Sequence, residues 1–363
     1  LRIENLYGSA FNDKLTGDAT ANVIEGGAGG DTIDGGAGAD TMIGGGGSDS
    51  YYVDNVGDVV TETLADPTTG GIDIVYSALS AYTLPSLVEK LRILATGPAN
   101  GTGNSSNNSL YAGAGNNVLD GGGGNDTLSY LYAAGAVSVS LAAVGPQVTG
   151  ASGEDTLISI ENLSGSPYSD SLTGNANANT IDGGAGADTM IGGGGSDSYY
   201  VDNVGDVVTE TLADPTTGGI DIVYSALSAY TLPSLVEKLR ILATGPANGT
   251  GNSSNNSLYA GAGNNVLDGG GGNDTLSYLY AAGAVSVSLA AVGPQVTGAS
   301  GDDTLISIEN LSGSPFSDNL TGDANANTID GGAGLDTITG GLGDDILLGG
   351  EGLDTFIFDI GFG

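Results

Sequence analysis

The chain has 363 residues, with 43 acidic against 6 basic side chains, a formal net charge of -37, 67 glycines and no Cys or His. Without Cys there is no disulfide framework, thiolate nucleophile or zinc-thiolate site, and without His no Ser-His-Asp triad or imidazole-ligated metal. Such a charge opposes binding to nucleic acid or anionic membranes, and no apolar run approaches the ~20 residues of a transmembrane helix. High Gly content and acidity are marks of disorder. Apolar residues nevertheless make up 39%, and the acids stand singly at regular positions. This pattern indicates an ordered scaffold whose charge is neutralised by something bound.

Residues 1–52 form a first repeat array. From Gly8 they read in nines: GSAFNDKLT, GDATANVIE, GGAGGDTID, GGAGADTMI, GGGGSDSYY. Residues 53–102 are a β-rich intervening segment, with strands expected over 51–63, 72–84 and 87–95 and bends at Pro67, Pro85 and Pro98. A short array follows at 103–129, then a β-rich segment at 130–164, with strands expected over 127–142 and 155–163. At 165 the pattern starts again, because residues 32–153 are identical to 180–301 at a period of 148. This gives an array at 165–200, a β-rich segment at 201–250, an array at 251–277, a β-rich segment at 278–312 and a final array at 313–363. Near-identical copies suit a repeat scaffold, which tolerates changes in copy number. The opening residues, Leu1 to Tyr7, show no secretory signal, and the sequence reads as a section of a longer chain.

Position-specific chemistry follows from the nine-residue phase. Position eight is apolar throughout, as at Leu15, Ile24, Ile33, Met42 and Leu128, and its neighbours are mostly polar or small. That predicts a three-residue strand with one side chain inward. Gly positions allow positive φ or close backbone approach. Two nonapeptides, 18 residues, make one coil, so the predicted class is all-β: a right-handed parallel β-roll or β-helix solenoid. Position six is Asp in ten clean units: Asp31, Asp40, Asp49, Asp126, Asp188, Asp197, Asp274, Asp336, Asp345 and Asp354. Coils stack about 4.8 Å apart, which puts Asp31 beside Asp49 and Asp336 beside Asp354. Asp in a Gly-rich turn can also cap its own backbone, but that role does not require Asp always at position six. A ladder of carboxylates repels itself, and a hard divalent cation relieves the repulsion with an all-oxygen cage of carboxylates and turn carbonyls. Calcium fits better than magnesium, which prefers a largely watered octahedron.

GGAGADTMI and GGLGDDILL resemble the GGxGxDxUx nonapeptide of the RTX (hemolysin-type) calcium-binding repeat family. The segments YYVDNVGDVVTET (51–63), LVEKLRILATGPANGTGN (87–104) and GEDTLISIENLSGS (153–166) are similar to those of large bacterial RTX proteins. The resemblance implies that the first six residues of each unit form a calcium-binding turn and the last three a β-roll strand. The implied ligands are the ten Asp above, with backbone carbonyls of turns such as those at Gly26, Gly35, Gly44, Gly121, Gly183, Gly192, Gly269, Gly331, Gly340 and Gly349. Asp13, Asp170 and Asp318 are weaker candidates because their turns lack the glycines. Turns with Asn at position six (Asn22, Asn108, Asn117, Asn179, Asn256, Asn265, Asn327) are expected to bind calcium weakly or not at all. Lys90, Arg92, Lys238 and Arg240 are expected to pair with local acids.

The expected function is a non-enzymatic, calcium-dependent structural section of a secreted or cell-surface bacterial protein, exported by type I secretion. It would form an adhesin stalk, surface layer, matrix or fibre, and its partners would be calcium ions and either other copies of itself or cell-surface components. The alternative is an accessory folding and secretion module of a secreted RTX enzyme or toxin.

Overall fold

A computed structural model of the protein describes residues 4–64, 70–211 and 218–358. Every regular element in it is a strand, and most strands are three or four residues long. The chain divides into two compact units, one comprising 1–175 with 179–189 and the other 176–178 with 190–363. Among the described residues no helix is long and apolar enough to cross a membrane.

Each unit is a β-solenoid of parallel stacked coils. In the first unit, Thr32–Asp34 pairs in parallel with Lys14–Thr16 on one side and Ser50–Val53 on the other. The register sets Ile33 on Leu15 and on Tyr51, so position eight stacks on position eight one coil of 18 residues away. The ladder continues through Ile74–Ser77, Lys90–Ile93, Ser109–Tyr111, Thr127–Ser129, Asn162–Ser164 and Thr180–Asp182. Strands that alternate with these along the chain build the opposite wall, for example Asn5–Tyr7, Val23–Ala28, Thr41–Gly46 and Val59–Thr61. The second unit repeats the arrangement, from Ser198–Val201 to Ile346–Leu348 along one wall.

The core is the stack of position-eight side chains between the walls. Ile24, Ile33, Met42, Tyr51, Leu119 and Leu128 are fully buried, as are Ile181, Met190, Tyr199, Leu267 and Ile329. The flanking Thr32 and Asp34 are only half-buried. One inward side chain per three-residue strand makes a core one residue wide on each wall. Leu15 and Leu347 are half-buried and Phe356 is exposed.

The intervening segments are further coils of the same solenoid. The strand expected over 51–63 divides into Ser50–Val53 and Val59–Thr61, and that expected over 72–84 into Ile74–Ser77 and Ala81–Thr83. Each must break to cross from one wall to the other. The first corner is closed by the Gly57 N–H donating to Asn55 Oδ1 at 2.9 Å. Residues 87–95 supply the strand Lys90–Ile93. Among the described residues, one hairpin decorates each unit. Gln147–Gly150 runs antiparallel to Gly153–Ile158 in the first, and Gln295–Gly298 antiparallel to Gly301–Ile306 in the second. Pro67 lies outside the described residues. The arginines take aromatic partners: the Arg92 guanidinium lies 3.4 Å from the centre of the Tyr132 ring, and Arg240 lies 3.5 Å from that of Tyr280.

A single-file core makes each inward residue costly to lose. Ile33→Ala is expected to destabilise the calcium-loaded chain by about 2–5 kcal/mol, whereas Val56→Ala, at a side chain 90% exposed, should change stability by less than about 0.5 kcal/mol. Urea unfolding at fixed saturating calcium checks both.

Candidate metal centre

The position-six side chains are nearly all inside the turns. Asp31, Asp40, Asp49, Asp126, Asp188, Asp197, Asp274 and Asp336 are each at most 1% exposed, whereas Asp345 and Asp354 are half-exposed. One oxygen of the carboxylate binds coil to coil. Asp31 Oδ1 accepts the Asp13 N–H at 2.8 Å, and Asp49 Oδ1 accepts the Asp31 N–H at 2.7 Å. Asp40 does the same for Asn22, Asp126 for Asn108 and Asp336 for Asp318. The sequence-predicted neighbours Asp31 and Asp49, and Asp336 and Asp354, are therefore brought together through backbone N–H groups.

The second oxygen separates two kinds of turn. In the ten clean turns the glycines at positions two and four both have positive φ, as at Gly36 (75°) and Gly38 (156°) or Gly122 (89°) and Gly124 (126°). This conformation, cheap only for Gly, turns the position-two N–H away from the carboxylate. The N–H of Gly36 donates instead to Asp34 Oδ1 at 3.0 Å, and that of Gly122 to Asp120 Oδ1 at 3.1 Å. As a result, Oδ2 of Asp31, Asp40, Asp49, Asp126, Asp274 and Asp336 is buried with no hydrogen-bond partner.

The position-one glycine completes a cradle. At all ten, from Gly26 with Asp31 to Gly349 with Asp354, Oδ2 of the turn's own Asp crowds the place a Cβ would occupy. A Cβ at Gly26 would also stand 2.9 Å from the carbonyl of Gly44, and one at Gly331 would stand 2.7 Å from that of Gly349. A carboxylate of one coil and a carbonyl of the next thus face the same small space.

Turns without the glycines close themselves. The Ser9 N–H donates to Asp13 Oδ2 at 2.6 Å and its hydroxyl to the same oxygen at 2.9 Å. Ser166 N–H meets Asp170 Oδ2 and Ser314 N–H meets Asp318 Oδ2, both at 2.5 Å. Where position six is Asn, the amide oxygen takes the same donor, from Asp18 to Asn22 at 2.8 Å and from Asn104 to Asn108 at 2.7 Å. The Asn108 amide then donates to the Val88 carbonyl of the preceding coil at 3.2 Å. Asn117 and Asn265 differ, in that Nδ2 donates to Ala99 or Ala247 while Oδ1 has no partner.

Acids outside the nonapeptides extend the ladder. Asp40 N–H donates to Asp58 Oδ1, Asp49 N–H to Asp73 Oδ1, Asp73 N–H to Glu89 Oε2 and Asp126 N–H to Glu161 Oε2. Asp58 stands the regular 18 residues after Asp40 and was open to discovery by spacing. Asp73 and Glu161, 24 and 35 residues along, carry no such signal. Asp155, by contrast, is fully satisfied in the hairpin, its Oδ2 accepting from Tyr130 Oη and Thr149 Oγ1, each at 3.0 Å.

Burial raises the proton affinity of these carboxyls, partly offset by the backbone N–H each accepts and reinforced by neighbouring acids. Asp126 and Asp274 are pushed up to about 6, Asp49 to about 7 and Asp73 to about 8, while Asp31, Asp40 and Asp336 move the same way. A buried acceptor without a donor costs about 1–3 kcal/mol, more when charged. Its two remedies are a proton and a cation. The donor set fits the cation: hard oxygens only, from carboxylates and carbonyls, in a space that a methyl group would fill.

These features define a β-solenoid repeat with oxygen-lined turns suited to a hard cation. The family model of the RTX calcium-binding nonapeptide repeat matches residues 2–32, 16–51, 102–130, 164–199, 250–278, 308–338 and 321–356, more than half of the chain. The chain belongs to this family of calcium-binding repeat proteins. No curated protein matches it.

The pH dependence of the cation-free fold follows from the raised carboxyls. A group that holds its proton more tightly when folded stabilises the fold below its unfolded pKa near 4, and that contribution is lost as pH rises through the folded value. In EDTA, β structure should therefore be more stable at about pH 5 than at about pH 8, with the loss spread over about pH 4 to 8. Saturating calcium should reverse the order, because the ligands must be deprotonated. Thermal melts by circular dichroism, with and without EDTA, check the sign.

Proposed function

We propose that this chain is an extracellular structural section of a bacterial secreted or cell-surface protein that folds when it meets calcium after export. The reading is carried by the buried, unpartnered second oxygens of Asp31, Asp40, Asp49, Asp126, Asp274 and Asp336. Calcium is held by the position-six aspartates of the clean turns, Asp188, Asp197, Asp345 and Asp354 included, with carbonyls of the Gly-rich turns. The turns of Asp13, Asp170 and Asp318, already closed by serine, take none. The ion supplies the charge that the orphaned carboxylates lack and ties each coil to its neighbour.

Without calcium, mutual repulsion among 43 acids and the backbone entropy of Gly favour the open chain. Where free calcium is scarce, as in bacterial cytoplasm, the chain stays threadable for type I export. Outside the cell each site filled to about 100 times its Kd adds about 2.7 kcal/mol, so a handful of sites matches the ~5–15 kcal/mol that holds an ordinary domain. The role is mechanical rather than enzymatic: a stalk, surface layer, matrix or fibre, engaging cell-surface components or further copies. The alternative, an accessory folding and secretion module of a secreted enzyme or toxin, shares the calcium switch and differs in assembly.

Far-UV circular dichroism after EDTA treatment should show a disordered chain, and calcium but not equal magnesium should convert it to β. Sedimentation in the same samples separates the roles. Growth in size with calcium supports a self-assembling fibre or layer, and a compact monomer supports the accessory module. Full β structure in EDTA at about pH 8 would remove the calcium switch.

A further inference from the structure

At the end of the first array, one oxygen from each of Asp49, Glu62 and Asp73 lies within 4.8 Å of the other two, and Asp197, Glu210 and Asp221 repeat the arrangement in the second unit. The three side chains are buried, Asp49 and Asp73 to 1% exposure and Glu62 to 7%. Only Asp49 belongs to a nonapeptide. Glu62 and Asp73 come from the intervening segment, beyond residue 51, where the family match to the array ends.

Asp49 and Asp73 are each fixed by one oxygen and leave the other inward, whereas both oxygens of Glu62 accept a donor. Asp49 Oδ1 accepts the Asp31 N–H and Asp73 Oδ1 the Asp49 N–H, both at 2.7 Å. Glu62 Oε2 accepts the Gly45 N–H at 3.3 Å, and Tyr51 Oη donates to Glu62 Oε1. Oδ2 of Asp49 and Oδ2 of Asp73 have no hydrogen-bond partner. Asp49 Oδ2, Glu62 Oε1 and Tyr51 Oη all crowd the point where a Cβ of Gly44 would stand, and Asp197 Oδ2, Glu210 Oε1 and Tyr199 Oη do so at Gly192. In the second unit Glu210 Oε2 is likewise buried without a partner.

We propose that Asp49, Glu62 and Asp73 together bind one calcium ion, at a three-carboxylate site that joins the nonapeptide array to the intervening coil, and that Asp197, Glu210 and Asp221 bind a second. Three buried carboxylates that converge on one point repel one another with no base among them, and a divalent cation removes most of that repulsion. Calcium suits the site because magnesium keeps several waters that so enclosed a space does not admit. Affinity in oxygen cages rises with ligand charge and rigidity, so the triads fill before the single-carboxylate turns and are the last to empty. They tie the end of Val59–Thr61 to the turn that leads from Thr41–Gly46 of the same wall to Ser50–Val53 of the other, where the spacing from Asp49 to Asp73 is 24 residues and not 18. The inference rests on the reading of nonapeptide turns as calcium sites only in sharing Asp49 and Asp197.

The test is a calcium titration of the full chain against a chromophoric chelator, after stripping with EDTA. Wild type should show a tight class of two ions, E62Q one, and E62Q/E210Q none, each lost ion weakened roughly tenfold or more. D40N should keep both tight ions and lose a weaker one. An unchanged tight class in E62Q/E210Q overturns the triads while leaving calcium-dependent folding intact. A wild-type chain that binds no calcium overturns both readings. If the glutamine variants do not fold, wild-type crystals grown with terbium decide. An anomalous peak about 2.3–2.6 Å from all three carboxylates supports the site, and none at either triad overturns it.

Discussion

A buried carboxylate oxygen that lacks a donor is among the costlier features a fold can carry, and this chain repeats it turn after turn. The other oxygen of the same group is well used, since it accepts an N–H from the coil before it and so helps fix the 18-residue register. Cohesion and frustration thus reside in one side chain. The geometry leaves these oxygens without a donor, and in the proposed function the charge they call for is what would couple folding to calcium.

The turns that leave a position-six oxygen without a donor differ at position two from those that close themselves. In the ten clean turns the glycine there adopts positive φ and withdraws its N–H, as Gly36 and Gly122 do. Ser, Asn or Asp there keeps an ordinary backbone and gives its N–H to the position-six side chain, as Ser9 gives to Asp13 and Asn104 to Asn108. In the self-closed turns the position-six oxygen already has its donor. In the proposed function, interleaving the two kinds would set how much of the fold depends on the ion, and exchanging residues at positions two and six would tune it.

Most of this architecture was legible in the residues because the period is strict. Ile33 and Leu128 announced the core, and Asp31 with Asp49 announced the ladder, through spacing alone. The self-closure of Asp13 was half legible, since the missing glycines showed but the serine donor did not. Glu62 and Asp73 were not legible. Asp73 follows Asp49 by 24 residues and not 18, and Glu62, although the strand before it keeps the 18-residue register with Thr41–Ile43, occupies no position that the nonapeptide pattern marks as a ligand. The expected long strands of the intervening segments failed for a related reason: alternating apolar residues mark a wall but not the corner between walls, which at 55–57 rests on an Asn side chain and a glycine. The arginines were misjudged because a sequence in which acids abound suggests ion pairs, whereas cross-strand stacking set Arg92 against tyrosine.

The central claim is that calcium goes to the carboxylates whose second oxygen lacks a donor and not to those whose turn is already closed. The most direct measurement is the number of calcium ions bound at saturation, by equilibrium dialysis, for Asp40→Asn and Asp13→Asn beside the wild type. The account predicts that Asp40→Asn lowers the count and Asp13→Asn leaves it unchanged. Equal losses from the two, or a loss from Asp13→Asn alone, would contradict it.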